Sequence, residues 1–146
     1  MTPDDLGIYN FRRLSPTLTT SGQPDEAQLA GLRDAGIVTV INLALSDSPR
    51  ALPDEAATLA GLGLRYIHIP VEFTAPAEAD FEAFATAMDG LDDAPVHIHC
   101  AANYRVSAFL YRYRTERLGW SAAEAGPDLE AVWQPDQVWQ KFIARG

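Results

Sequence analysis

Short apolar runs alternate along the chain with amphipathic stretches, and Pro or Gly stands at most of the joints. Tyr9 to Leu14 and Leu18 to Ser21 read as two short strands separated by Ser15-Pro16. Gly22-Gln23-Pro24 breaks the chain. Pro24-Asp25-Glu26 then opens a helix, because proline fits the first turn and acids sit well at the positive end of the helix dipole. This helix turns Leu29 and Leu32 inward and stops at Gly36. Ile37 to Leu43, IVTVINL, is apolar, β-branched and too short for a core helix, so it predicts a buried strand. Pro53-Asp54-Glu55 repeats the helix-start signal for a helix running to Gly61, and Leu64 to Ile69 is the next strand. After a loop over Pro70 to Ala77, Phe81, Phe84, Ala85 and Met88 mark one face of a helix whose other face is acidic. Val96 to His99 is a strand and Cys100 to Arg105 a short polar segment. Val106 to Leu118 is a helix with Val106, Phe109, Leu110 and Tyr113 inward. Ser121-x-x-Glu124 is a capping box, after which Pro127 is expected to kink or restart the helix for want of a donor. A last helix opens at Pro135 and is expected to bury Val138, Trp139, Phe142 and Ile143. Strands alternating with helices predict an α/β fold: a single domain over residues 1–146, with a mostly parallel central sheet flanked by helices.

Composition fits a globular chain of 146 residues, 47% apolar and 21% charged. Eleven basic residues face twenty acidic ones, for a net charge of -9, and Lys141 is the sole lysine. Such a chain is a poor partner for nucleic acid or a membrane surface, which are polyanions. No apolar run approaches a membrane span, and the first ten residues do not read as a signal peptide. Cys100 is the one cysteine, which excludes an internal disulfide and fits a reducing compartment, so a cytoplasmic location is expected.

In open α/β sheets, ligands sit beyond the carboxyl ends of the strands. At such a place stands His99-Cys100-Ala101-Ala102-Asn103-Tyr104-Arg105-Val106-Ser107. The strand ends at His99, a helix begins near Arg105, and the loop amides between them can converge on one anion with help from the helix N-terminus. A cysteine in that field ionises more readily than a free thiol. Arg105 offers a planar fork for two phosphate oxygens. Four arginines and one acid lie between Cys100 and Trp120, against the acidic trend of the chain.

The chain here resembles the cysteine-dependent protein tyrosine and dual-specificity phosphatases, nearest a bacterial branch of small phosphatase-like proteins. Ser21-Gly22-Gln23-Pro24, Val40-Ile41-Asn42-Leu43, Ile69-Pro70-Val71-Glu72 and the cysteine segment carry the resemblance, in order along nearly the whole chain. It implies a phosphatase-type fold and hydrolysis of phosphomonoesters, phosphotyrosine or another aryl phosphate first, through a phosphocysteine intermediate. No cofactor or metal is implied, and the partner is a phosphomonoester or a phosphoprotein. Cys100 would attack phosphorus, while Arg105 and the amides of Ala101, Ala102, Asn103, Tyr104, Arg105 and Val106 would hold the oxygens. Glu72, 28 residues before Cys100, is the best-placed general acid, ahead of Asp47 and Asp80. His99 is implied to orient the loop and tune Cys100, and Ser107 to offer its hydroxyl to the sulfur.

Only four residues separate Cys100 from Arg105, one fewer than in the family's loop, and the family's glycine is absent. Asn103 is the expected stand-in, because Asn tolerates a left-handed backbone. The short loop also suits a rhodanese-like sulfurtransferase, and a non-catalytic phosphate- or partner-binding relative would share the same residues. His68, His97 and His99 could in principle form a zinc site. Core or edge roles are expected for the first two instead. Trp120, Trp133 and Trp139 are expected to pack the C-terminal helices.

Overall fold

A computed structural model describes residues 6–48 and 50–144. The chain runs β1 (Arg12–Ser15), β2 (Leu18–Ser21), α1 (Glu26–Asp34), β3 (Thr39–Asn42), α2 (Glu55–Gly61), β4 (Arg65–His68), α3 (Glu78–Asp89), β5 (Val96–His99), α4 (Tyr104–Glu116), α5 (Ala122–Glu130) and α6 (Gln137–Ile143). The five strands form one sheet in the order β1-β2-β5-β3-β4. Only the β1–β2 pair is antiparallel, and β5 lies at the centre, flanked by β2 and β3. The carboxyl end of β5, where Cys100 follows, is therefore enclosed by the loops that leave β2 and β3.

Alternation along the strands divides the core into two layers. Val40 faces Leu29, Leu32, Leu59 and Leu64, under α1 and α2. Its neighbour Ile41 faces the other way, onto Phe81, Phe84, Phe109, Trp139 and Phe142 of α3, α4 and α6. The two sides of the sheet are thus both covered, as parallel strands require. Helix starts fall where the sequence places them: Asp25, Asp54, Ser121 and Asp136 each accept a backbone N–H from the first turn of α1, α2, α5 and α6. No helix among the described residues is long and apolar enough to cross a membrane.

Three local expectations need correction. The first strand begins at Arg12 rather than Tyr9, because Asn10 has φ of 55° and cannot continue an extended ladder. Pro127 does not restart a helix, since α5 runs through it. The residue before it is Gly126, which has no Cβ to collide with the proline ring, so what is left is the missing N–H donor and the crowding of the Ala123 carbonyl. In α6 the inward face carries Trp139 and Phe142, while Val138 is 43% exposed.

Candidate active site

Cys100 leaves β5 fully buried, its amide donating to Ser21 O at 3.4 Å. The five residues that follow fold back against the segment after β2. Gln23 N donates to Ala101 O at 3.1 Å, and Asn10 Nδ2 donates to Ala102 O at 2.9 Å. Gly22 pairs with Ala102, and a Cβ on Gly22 would lie 2.6 Å from Ala101 O, so only glycine allows this approach.

Asn103 takes the left-handed conformation expected of it, with φ of 72°. Its side chain does not cap α4. Instead Nδ2 donates to Asn10 O and to Thr20 Oγ1, each at 3.0 Å. The first backbone bond across this turn of α4 is Ser107 N to Asn103 O at 3.0 Å, which leaves the amides of Tyr104, Arg105 and Val106 ahead of it. No acidic residue stands in that first turn. An uncapped helix end with no acid in its first turn presents its partial positive charge to this loop.

Arg105 lies in the first turn of α4, 7% exposed. One terminal nitrogen donates to Val71 O at 2.9 Å, and Val71 N is held in turn by Leu43 O at 3.0 Å. The guanidinium carbon sits 5.8 Å from the centre of the Phe73 ring. Arg105 Nε is buried with no hydrogen-bond partner among the described residues.

Glu72 is exposed and lies between the two residues that touch Arg105, Val71 and Phe73. Its loop is pinned by Trp139, whose indole N–H donates to Phe73 O at 2.8 Å. Tyr104 stacks in parallel on Trp133 at 4.6 Å, with Phe73 tilted against both. Trp133 and Trp139 thus pack against this loop as well as among the C-terminal helices. Asp80 is spent at the start of α3, accepting from Ala77 N at 3.3 Å, and Asp47 is exposed on the loop after β3. The Ser107 hydroxyl departs from expectation. It donates to Tyr104 O at 2.8 Å and accepts from Trp133 Nε1 at 3.1 Å, so its proton is directed to the helix backbone rather than to sulfur.

The three histidines have separate environments. Ser21 Oγ donates to Gly22 O, so its oxygen accepts from His97 Nε2, and His97 Nδ1 accepts from Thr19 Oγ1. Burial, then the charge of His99, drives the His97 pKa well below the usual imidazole value, and the ring is neutral. His68 donates through Nε2 to Ala44 O at 2.7 Å. Among the described residues no cluster of His, Cys, Asp and Glu has the arrangement to hold a metal ion. His99 is fully buried, and its partner is one that sequence reasoning missed. Glu55 Oε2 lies 2.6 Å from His99 Nε2, and Glu55 Oε1 accepts from Gln23 Nε2 at 2.9 Å. Burial alone would raise the Glu55 pKa, but the hydrogen bond and charge of His99, with smaller help from Gln23 and His68, outweigh it and hold the carboxyl below its ordinary value.

A family model described as a DSP-PTPase phosphatase fused to NAD+ kinase matches residues 12–137. The comparison with curated proteins finds no match. Among solved structures, a protein from Shewanella putrefaciens CN-32 described as a candidate phosphatase (DUF442) is 34% identical, with a TM-score of 0.84 over 97% of this chain and 93% of that one. TpbA of P. aeruginosa, at 22% identity, superposes with a TM-score of 0.74 over 94% of this chain and 85% of its own. The core catalytic domain of the PP-IP phosphatase SIW14 from S. cerevisiae, at 15% identity, does so with 0.73 over 94% and 85%. With the model matched across most of its length and the cysteine loop at the head of α4, the chain belongs to the cysteine-dependent tyrosine and dual-specificity phosphatase-like family.

Proposed function

We propose that this protein hydrolyses phosphomonoesters, aryl phosphates such as phosphotyrosine first, through a phosphocysteine intermediate on Cys100. The observation that carries the reading is the buried Nε of Arg105, unpartnered among the described residues, beside an uncapped helix end: these donors suit the terminal oxygens of a phosphoryl group. The carbonyls of Ala101 and Ala102 are taken up on the outer side of the loop, which supports inward-facing amides. In the proposed reaction the Cys100 thiolate attacks phosphorus and the P–O bond to the leaving group breaks. The leaving oxygen takes a proton from Glu72. Water then gives a proton to the Glu72 carboxylate and attacks the phosphocysteine, the S–P bond breaking to release phosphate and restore the thiolate. Binding of phosphotyrosine by TpbA and the inositol pyrophosphate chemistry in the SIW14 description support a phosphorylated substrate, a phosphoprotein among them. A reducing, cytoplasmic setting would keep the single thiol active.

Turnover of nitrophenyl phosphate with and without chelator tests the reading, with Cys100→Ser as the inactive control. Chelator-resistant, phosphate-inhibited turnover is expected. Formation of a Cys100 persulfide from thiosulfate, with no phosphate release, would instead assign the short loop to sulfur transfer.

A further inference from the structure

Glu55 and His99 are 44 residues apart in the sequence, yet they form a buried carboxylate–imidazole hydrogen bond beside the start of the cysteine loop. Both ring nitrogens of His99 face acceptors. Nε2 faces the Glu55 carboxylate at 2.6 Å, and Nδ1 faces Cys100 O at 3.4 Å. A neutral imidazole has one N–H, so two acceptors call for the doubly protonated ring. Glu55 is fixed from its other side by Gln23, whose own backbone amide holds Ala101 O of the loop. One carboxylate therefore reaches the cysteine segment by two routes, through His99 to Cys100 and through Gln23 to Ala101.

We infer that Glu55 is a positioning residue of this site: its carboxylate keeps His99 as an imidazolium against the main chain of Cys100, and that buried cation favours the thiolate. The other groups facing the pair do not replace it. His97, stacked 6.4 Å from His99 on the same strand, is neutral. His68 acts on Glu55 from β4 as a weaker charge, and Gln23 has none. Tyr66 is held as a phenol, its pKa raised to about 12 by burial and by Glu55 against the opposing bond from Asn42. Removing the Glu55 carboxylate takes away the partner that favours a proton on His99 Nε2, and with it the charge held against the Cys100 main chain.

The inference deepens the phosphatase reading and rests on it only for its effect on turnover, so the test is read without substrate. Cys100 is the only cysteine, and the ultraviolet absorbance of the thiolate during a pH titration has one source. Glu55→Gln should move this titration up by about one pH unit, a roughly tenfold lower thiolate-to-thiol ratio at a given acidic pH. Glu55→Asp, which keeps the charge, should restore part of the shift. An unchanged or downward titration in folded Glu55→Gln would overturn the role. Should that variant not fold, nitrogen NMR of His99 in the unaltered protein decides the matter: both ring nitrogens protonated at neutral pH is expected, and a neutral ring refutes the inference. With nitrophenyl phosphate, the acid limb of kcat/KM should move with the absorbance titration. A normal titration shift with no turnover in any form would count against the phosphatase reading and leave Glu55 in place.

Discussion

Replacing Asn103 separates two contributions that the glycine of related loops never combines. The residue holds φ of 72° and places its amide on Asn10 O and Thr20 Oγ1 at 3.0 Å each. Asn103→Gly removes both bonds, at about 1 kcal/mol net each. It also relieves a left-handed backbone that costs an ordinary L-residue about 1–2 kcal/mol, and Asn somewhat less. The two terms oppose, so the glycine variant should lose only about 1 kcal/mol. In Asn103→Ala they add, and the loss should be about 3 kcal/mol. For a domain of this size the gap corresponds to roughly 4–8 °C in Tm between the two variants. Urea melts of the three proteins at one pH measure it, with nitrophenyl phosphate kcat/KM as the companion assay. Asn103→Gly should stay within a few-fold of the parent, and Asn103→Ala should fall well below it as the loop rotates away from the left-handed state. Alanine as stable as glycine would show that the left-handed backbone is not what selects this residue.

Arg105→Lys keeps a charge near Val71 O but loses the fork and the free Nε, and should lower kcat/KM for aryl phosphates by about 2–4 kcal/mol of transition-state stabilisation; a loss under fivefold would remove the fork from the mechanism. Glu72→Gln should slow phenyl phosphate, whose leaving oxygen needs the proton, more than nitrophenyl phosphate, and equal effects would exclude Glu72 as the acid. Stability should fall on acidification. His97 is buried neutral with its folded pKa depressed, so below the unfolded value of ~6.5 only the unfolded chain takes up the proton, and stability drops by at most about 1.4 kcal/mol per pH unit. Glu55, also depressed, adds a further loss below its usual carboxylate range, and a urea midpoint that stays flat from about pH 6.5 to 5, where His99 is protonated in folded and unfolded chain alike, would contradict the assignment for His97.

The elements and the cysteine loop were legible because their causes are local. Prolines and acids at helix starts, β-branched runs, and a polar segment joining strand to helix all report on neighbours a few residues away. Asn103 was legible for the same reason: a left-handed residue without glycine leaves few other choices. Glu55 was not, because Pro53-Asp54-Glu55 reads correctly as a helix start, and nothing in that signal says what the carboxylate touches. Its contact follows from α2, packed against β4, beginning beside His99 at the carboxyl end of β5, which chain folding and not local sequence decides. Asn10 was hidden likewise, placed in an expected strand while it turns aside to hold the loop. Ser107 was misjudged in direction, since Trp133, 26 residues on, claims its hydroxyl oxygen.

The contacts that shape the cysteine loop come from remote parts of the chain: Asn10 is 93 residues from Asn103, and Val71 is 34 from Arg105. No single stretch of sequence can assemble the cradle, so it exists only where the whole topology has closed. An oxyanion that binds there binds the native state alone and pulls the unfolding equilibrium toward it, by about 2.7 kcal/mol at a hundred times its Kd. A thermal melt thus becomes a chemical census, in which phosphate, vanadate, sulfate and phosphorylated metabolites are ranked by the protection they give, without any bond being broken.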